Sequence, residues 1–171
     1  EQIEIEKNKT KTIKTKNKKK LKLKQNNHFA GTVLNENNIV CVKVKNKEIS
    51  FDVRGFFQSN LYVFEKVIDL ICDSLPGGKN IVDIYAGCGS ISCFLADKYE
   101  TTTLVEHNRD ALVFAEKNMN EKPHVSYGLS GEKWIQNCVQ YCPDFDACVV
   151  DPPRSGIEKV VLDYLCKSNI P

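Results

Sequence analysis

Residues Asn80 to Ala96 read NIVDIYAGCGSISCFLA, and this stretch decides the fold. Ile81, Val82 and Ile84 form an apolar run rich in β-branched residues, the signature of a buried strand. The run stops at Tyr85-Ala86-Gly87-Cys88-Gly89. Glycines there let the backbone turn sharply and let a ligand approach the N-terminus of the helix that follows. A lone G-x-G is a weak signal, because dinucleotide enzymes carry it too, with a third Gly or Ala three residues on. Here that place is Ser92, so the pyrophosphate fingerprint is incomplete.

Outward from this unit, apolar runs and helical segments alternate. The pattern predicts strands over Asn80–Ile84, Thr102–Val105, Val125–Tyr127 and Ala147–Val150. It predicts helices over about Ser90–Lys98, Arg109–Asn118, Glu132–Gln140 and Glu158–Ser168. Upstream, Leu61, Phe64, Val67, Ile68, Ile71 and Leu75 recur at helical spacing, with Ser59 or Asn60 as the cap and Pro76-Gly77-Gly78 as the stop. A β-α-β-α order implies an α/β fold with a parallel sheet covered on both faces. Residues 28–54 read instead as short strands with turns at Asn35–Asn38 and Lys45–Lys47, a small β segment.

The 171 residues suffice for one ordinary domain with a real core. Charge is unevenly spread. Residues 1–27 hold ten Lys and three Glu, a formal +7, while residues 28–171 hold eleven Lys, three Arg and nineteen acids, a formal −5. The Lys- and Asn-rich arm has too little apolar mass for a core and reads as disordered. It suits attachment to nucleic acid; a solvated, compositionally biased tail is the other reading. No run of about 18 apolar residues spans a membrane, and the charged N-terminus lacks the apolar region of a signal peptide. Eight Cys residues occur, but no C-x-x-C pair. Cys72, Cys88, Cys93, Cys148 and Cys166 lie within apolar or helical patterns, which predicts reduced, buried thiols, no metal, and a cytoplasmic or nuclear protein.

Three further stretches carry chemistry. In TTLVEHNRD, Glu106 ends the second strand, where a carboxylate accepts hydrogen bonds from ribose hydroxyls. In FDACVVDPPRSG, Asp151 ends a fully apolar strand, and Pro152 and Pro153 stiffen the loop after it. Arg154 is either a substrate-phosphate contact or a surface charge. In RGFFQSNLYVFEKV, Phe56 and Phe57 suit a core, whereas Gln58 does not.

Taken in order, F-F-Q-x-N, D-x-Y-x-G-x-G, V-E and D-P-P-R-x-G resemble the S-adenosylmethionine-dependent RNA (uracil-5-)-methyltransferases over about residues 50–171. The resemblance implies a Rossmann-like class I methyltransferase sheet and S-adenosyl-L-methionine as cofactor. It also implies methyl transfer to carbon 5 of uridine in transfer or ribosomal RNA. It places cofactor contacts on Gln58, Tyr85, Ser90, Glu106 and Asp151, with Gly87 and Gly89 forming the turn. On this reading residues 55–171 are the cofactor domain, the RNA partner is met in part by the arm, and Arg154 is the candidate on the substrate side.

Departures from the family pattern sharpen the expectation. Where the family carries a polar pair against adenine, this chain has Leu129 or Ser130. Neither the family's N-terminal β-barrel nor the iron–sulfur cysteines of some members are expected within these 171 residues. The nucleophilic Cys of the family follows Asp-Pro-Pro by about two dozen residues, which falls past Pro171, with a catalytic Glu beyond. Cys166 stands too early and reads as a core residue of a helix. The resemblance therefore implies no catalytic residue within the chain, about three further strands to complete the sheet, and an uncovered edge without them. It also implies weak cofactor binding and no uridine methylation by residues 1–171 alone. The alternatives are a methyltransferase acting on an exocyclic amine, a non-catalytic RNA-binding protein, and a nicotinamide dehydrogenase.

Overall fold

A computed structural model describes residues 38–170 of the chain. The Lys-rich arm, and the part of the β segment before residue 38, lie outside the described residues.

The first described element is a hairpin of β1 (Ile39–Val44) and β2 (Lys47–Asp52), paired antiparallel with Val40 opposite Phe51. Helix α1 (Leu61–Ser74) follows. Its cap is Asn60, whose side chain accepts the Val63 N–H at 3.0 Å. The other end is closed from outside, where the Lys98 ammonium donates to the carbonyls of Cys72 and Leu75. Then come β3 (Gly78–Ile84), α2 (Ser92–Leu95), β4 (Tyr99–Val105), α3 (Arg109–Asn118) and β5 (His124–Tyr127). The chain continues through α4 (Gly131–Asn137), a 3-10 turn at Val139–Tyr141, β6 (Ala147–Val150) and α5 (Lys159–Lys167). Asn108 and Ser130 cap α3 and α4 with side-chain oxygens. Asp110 in the first turn of α3 and Lys117 in its last complement the helix dipole.

The four later strands form a parallel sheet in the order β5-β4-β3-β6. β3 has a neighbour on each side, and its Ile81, Val82 and Ile84 are fully buried. On one face, Ile81 packs with Phe64 and Ile68 of α1, with Cys93, Phe94 and Leu95 of α2, and with Val44, Ile49 and Phe51 of the hairpin. The hairpin thus shares a core with the sheet. On the other face, Val82 and Ile84 meet Trp134 of α4 and Val161 of α5. Burial of these side chains is the main driving force, each worth about 1.5–3 kcal/mol. No described helix is long and apolar enough to cross a membrane.

Several expectations are corrected. Helix α2 covers four residues, not nine. Its flanks tighten into i+3 bonds such as Lys98 N–H to the Leu95 carbonyl at 2.8 Å, because Gly78 N–H takes the Lys98 carbonyl and Tyr99 already belongs to β4. Phe56 is 77% exposed, while Phe57 alone joins the core, stacked on Phe51 at 4.1 Å. Cys166 is exposed, not core. It lies five positions after the buried Val161, about 140° round the helix from it. All eight cysteines are free, but only Cys88 and Cys93 are fully buried.

Candidate functional site

β4 and β5 lie on one side of β3 and β6 on the other, so the strand order reverses at β3. Open α/β sheets bind ligands at that reversal, outside the carboxyl ends of the strands. The loop leaving β3 is built for close approach. Tyr85, Gly87 and Gly89 all take positive φ (71°, 56° and 73°). At Gly89 a Cβ would stand 3.0 Å from Ala115 of α3, so only glycine lets that helix press against the turn. The Val105 carbonyl accepts both Tyr85 and Ala86 N–H groups, at 2.9 and 3.1 Å.

Glu106 sits just beyond β4, 7% exposed. Its carboxylate accepts Gly87 N–H at 2.9 Å and Asn108 N–H at 2.7 Å, and His107 Nδ1 lies 3.1 Å away. One acid therefore holds the glycine turn and the start of α3 together. A carboxylate has about four acceptor sites, so room remains for a hydroxyl donor. Asn118, the last residue of α3, supports the turn from behind. Its amide donates to the carbonyls of Ser50 and Cys88, both at 2.8 Å, and accepts Ser50 N–H at 2.9 Å.

Across β3, Asp151 is exposed at the end of β6. It and half-buried Gln58 line one cleft of about 360 Å³, floored by Ile91 and Val149 and walled by Val63 and Phe64 of α1. A second groove of about 370 Å³ runs beside the end of β5, lined by Arg109, Leu112, Tyr127 and Leu129. Ser130 caps α4 through its hydroxyl, so of the two residues at the expected adenine position it is Leu129 that lines the groove.

The structure thus brings Gly87, Gly89 and Glu106 together at one rim and Gln58 with Asp151 at the other. Half-buried Ser90 follows directly on Gly89. Tyr85 points elsewhere: its hydroxyl donates to Glu158 Oε2 at 3.3 Å and accepts Glu158 N–H at 3.2 Å, on the α4–α5 face. Burial, and then the Glu158 charge, hold that phenol above its usual range. Arg154 is exposed in a turn closed by Gly156 N–H to the Pro153 carbonyl at 2.8 Å. Burial pushes the thiols of Cys88 up to about 11 and of Cys93 and Cys148 up to about 12, so they are unreactive near neutrality. Among the described residues, no group of three or more His, Cys, Asp or Glu is placed to hold a metal ion.

Sequence reasoning passed over Asp83. It is 1% exposed, its Oδ2 accepts the Ser92 hydroxyl, and its Oδ1 has no hydrogen-bond partner among the described residues. The signal was present: a carboxylate inside the apolar run IVDI is costly to bury and needs a reason to be there.

A parallel sheet that reverses order at a glycine-turn strand, with an acid at the end of the neighbouring strand, defines a Rossmann-like domain. The model of the methyltransferase small domain family matches residues 64–165, and the chain belongs to that family. It is similar to an uncharacterized RNA methyltransferase of Treponema denticola, 36% identical over 143 residues, covering 74% of this chain and 35% of that protein. It is also similar to a tRNA/tmRNA (uracil-C(5))-methyltransferase of Campylobacter hominis, 30% identical over 151 residues, covering 81% and 41%. The tRNA (uracil-54, C5)-methyltransferase of Pyrococcus abyssi, solved with S-adenosyl-L-homocysteine, shares the fold. Its TM-score is 0.66 at 22% identity, covering 78% of this chain and 33% of that one. The fold is therefore that of class I methyltransferases, and the chain spans about a third of the length of the curated relatives it matches.

Proposed function

We propose that this chain is the cofactor-binding part of an S-adenosyl-L-methionine-dependent RNA methyltransferase whose target is carbon 5 of uridine. The observation that carries the cofactor reading is the clasp of Glu106 on the Gly87 N–H, which offers a fixed acceptor for a ribose beside an open glycine turn. The names of the relatives support RNA as the substrate, and one of them supports uracil carbon 5. The residues present fit the cofactor. Glu106 takes the ribose side, and Gly87, Gly89 and Ser90 shape the turn. Gln58 and Asp151 close the opposite cleft, and Tyr85 anchors the turn to α4 and α5. The cofactor supplies the methyl group as a sulfonium. Arg154, exposed just past Asp151, is the candidate for a phosphate of the RNA. Residues 55–171 are read as the cofactor domain, with 28–54 as a β segment whose described hairpin shares its core, and the Lys-rich arm as a second RNA contact.

The reading assigns no catalytic residue within the chain. Attack on uracil carbon 6 needs a thiolate, and the thiols of Cys88 in the glycine turn and of Cys148 in β6 are held neutral by burial.

Calorimetric titration of the chain with S-adenosylmethionine and with NAD separates this reading from a dehydrogenase: the first is expected to bind, weakly, and the second not at all. Nucleoside analysis of RNA from cells lacking the gene is expected to show loss of 5-methyluridine. Loss of a base methylated on an exocyclic nitrogen would overturn the uracil assignment. Methylation of uridine by residues 1–171 alone would overturn the absence of a nucleophile.

A further inference from the structure

Asp83 lies deep in β3, between Leu104 of β4 and Val149 of β6, and no described cation pairs with it. Among the described residues, every titratable group that faces it is negative or neutral. Glu106 comes from the end of β4, Asp151 from the end of β6, and the neutral Cys148 thiol from within β6; the Ser92 hydroxyl comes from α2. The free oxygen Oδ1, buried without a donor, would be poorly stabilised if ionised. The two carboxylates that face Asp83 are the same two that bound the crevice on either side of β3. A charge entering between them is therefore felt at Asp83 through a protein interior that screens little.

We propose that the Asp83–Ser92 pair reads the charge of the bound nucleoside: Asp83 keeps its proton in the free protein, releases it to solvent when a sulfonium nucleoside fills the crevice, and regains it when the neutral thioether remains. This rests on the cofactor reading above. The two ligands differ by one methyl group and one positive charge. When the methyl group leaves, the carbon–sulfur bond breaks, its electron pair stays on sulfur, and the charge that favoured ionised Asp83 is gone. The amino and carboxylate groups are common to both ligands; the sulfonium lowers the amino group's own midpoint, and the Asp83→Asn variant carries that effect without Asp83. Burial first, opposed by the Ser92 hydrogen bond and reinforced by Asp151 and Glu106, raises Asp83 to about 7, where such a response has its largest effect. The consequence is selective: donor affinity rises with pH through neutrality, while product affinity does not.

The test is calorimetry of the chain with S-adenosylmethionine and S-adenosylhomocysteine from pH 6 to 8, in pairs of buffers of different ionisation enthalpy. If the sulfonium lowers the Asp83 midpoint by about one unit, the donor tightens about fivefold over this range and releases about 0.4 proton at pH 7. The product is expected to show neither effect. Asp83→Asn is expected to bind both ligands and to lose the share of the difference that Asp83 supplies, about fivefold over this range. Carbon-13 NMR of labelled aspartate in the wild-type chain guards against misfolding of that variant. The Asp83 carboxyl is expected to titrate near neutrality when free and with the product, and at lower pH with the donor. Equal pH slopes for the two ligands, or an Asp83 midpoint in the ordinary carboxylate range, would overturn the inference alone. Failure of both ligands to bind would overturn the cofactor reading and this inference together.

Discussion

Glu106 and Asp151 end the two strands that flank β3, and they are held in opposite ways. Glu106 is buried, and its carboxylate takes two backbone N–H groups. Asp151 is exposed and makes no hydrogen bond among the described residues. One wall of the crevice is thus rigid before any ligand arrives, with its acid serving as a structural tie. The other wall is a side chain on a proline-stiffened strand end, free to meet a ligand. Two residues that look alike in sequence, each an acid closing an apolar strand, are held by the fold in different ways.

The contrast breaks most visibly at Glu106. Glu106→Ala strands the Gly87 and Asn108 N–H groups, so urea unfolding is expected to show a loss of about 2–4 kcal/mol, with nucleoside binding abolished. Asp83→Asn tests the rigid wall from below. The folded carboxyl titrates near 7 instead of 3.8, so its contribution is full below the unfolded value and is lost as pH rises towards 7. Wild-type stability is therefore expected to fall by about 4 kcal/mol more than that of the variant between pH 4 and 8, with the slope flattening above 7. Denaturation series at several pH values check this, and parallel slopes would remove Asp83 as a titrating group. Asn118→Ala unties the hairpin from the glycine turn and is expected to cost about 1–3 kcal/mol, with hydrogen exchange accelerated in the turn. Asp151→Asn should do least to the fold, within about 0.5 kcal/mol, while weakening nucleoside binding about tenfold. If Asp151→Asn destabilised the chain as much as Glu106→Ala, the contrast between the walls would be wrong.

What was legible in the sequence followed from local physics. Helix α3 runs over the expected Arg109–Asn118 because an Asn cap, an early acid and a late lysine all favour those limits. Strand β6 keeps its expected bounds because a fully apolar run stops at an acid and two prolines. Glu106 and Asp151 were visible as acids at strand ends. The differences arise where tertiary contacts decide. Helix α2 is cut short by its neighbours Gly78 and Tyr99. Phe56 and Cys166 face outward although adjacent apolar residues pack inward. Tyr85 is turned away by Glu158, which lies 73 residues on. Nothing local could show that the hairpin shares the sheet's core, or that Asp83 sits among carboxylates contributed by two other strands.

The Asn118 tie has a consequence for the order of events in folding. It joins groups 68 residues apart, and contacts so distant in sequence are the slowest to close. The hairpin and the β3–α2–β4 unit form from much shorter loops. The lone tryptophan, Trp134, lies on the opposite face of the sheet, packed between Phe145 and Tyr164, so its fluorescence reports a different half of the core. In refolding, tryptophan burial is expected to recover before nucleoside binding, because the glycine turn acquires its shape only when the hairpin docks against the last turn of α3. A chain caught in that interval is compact yet blind to its ligand.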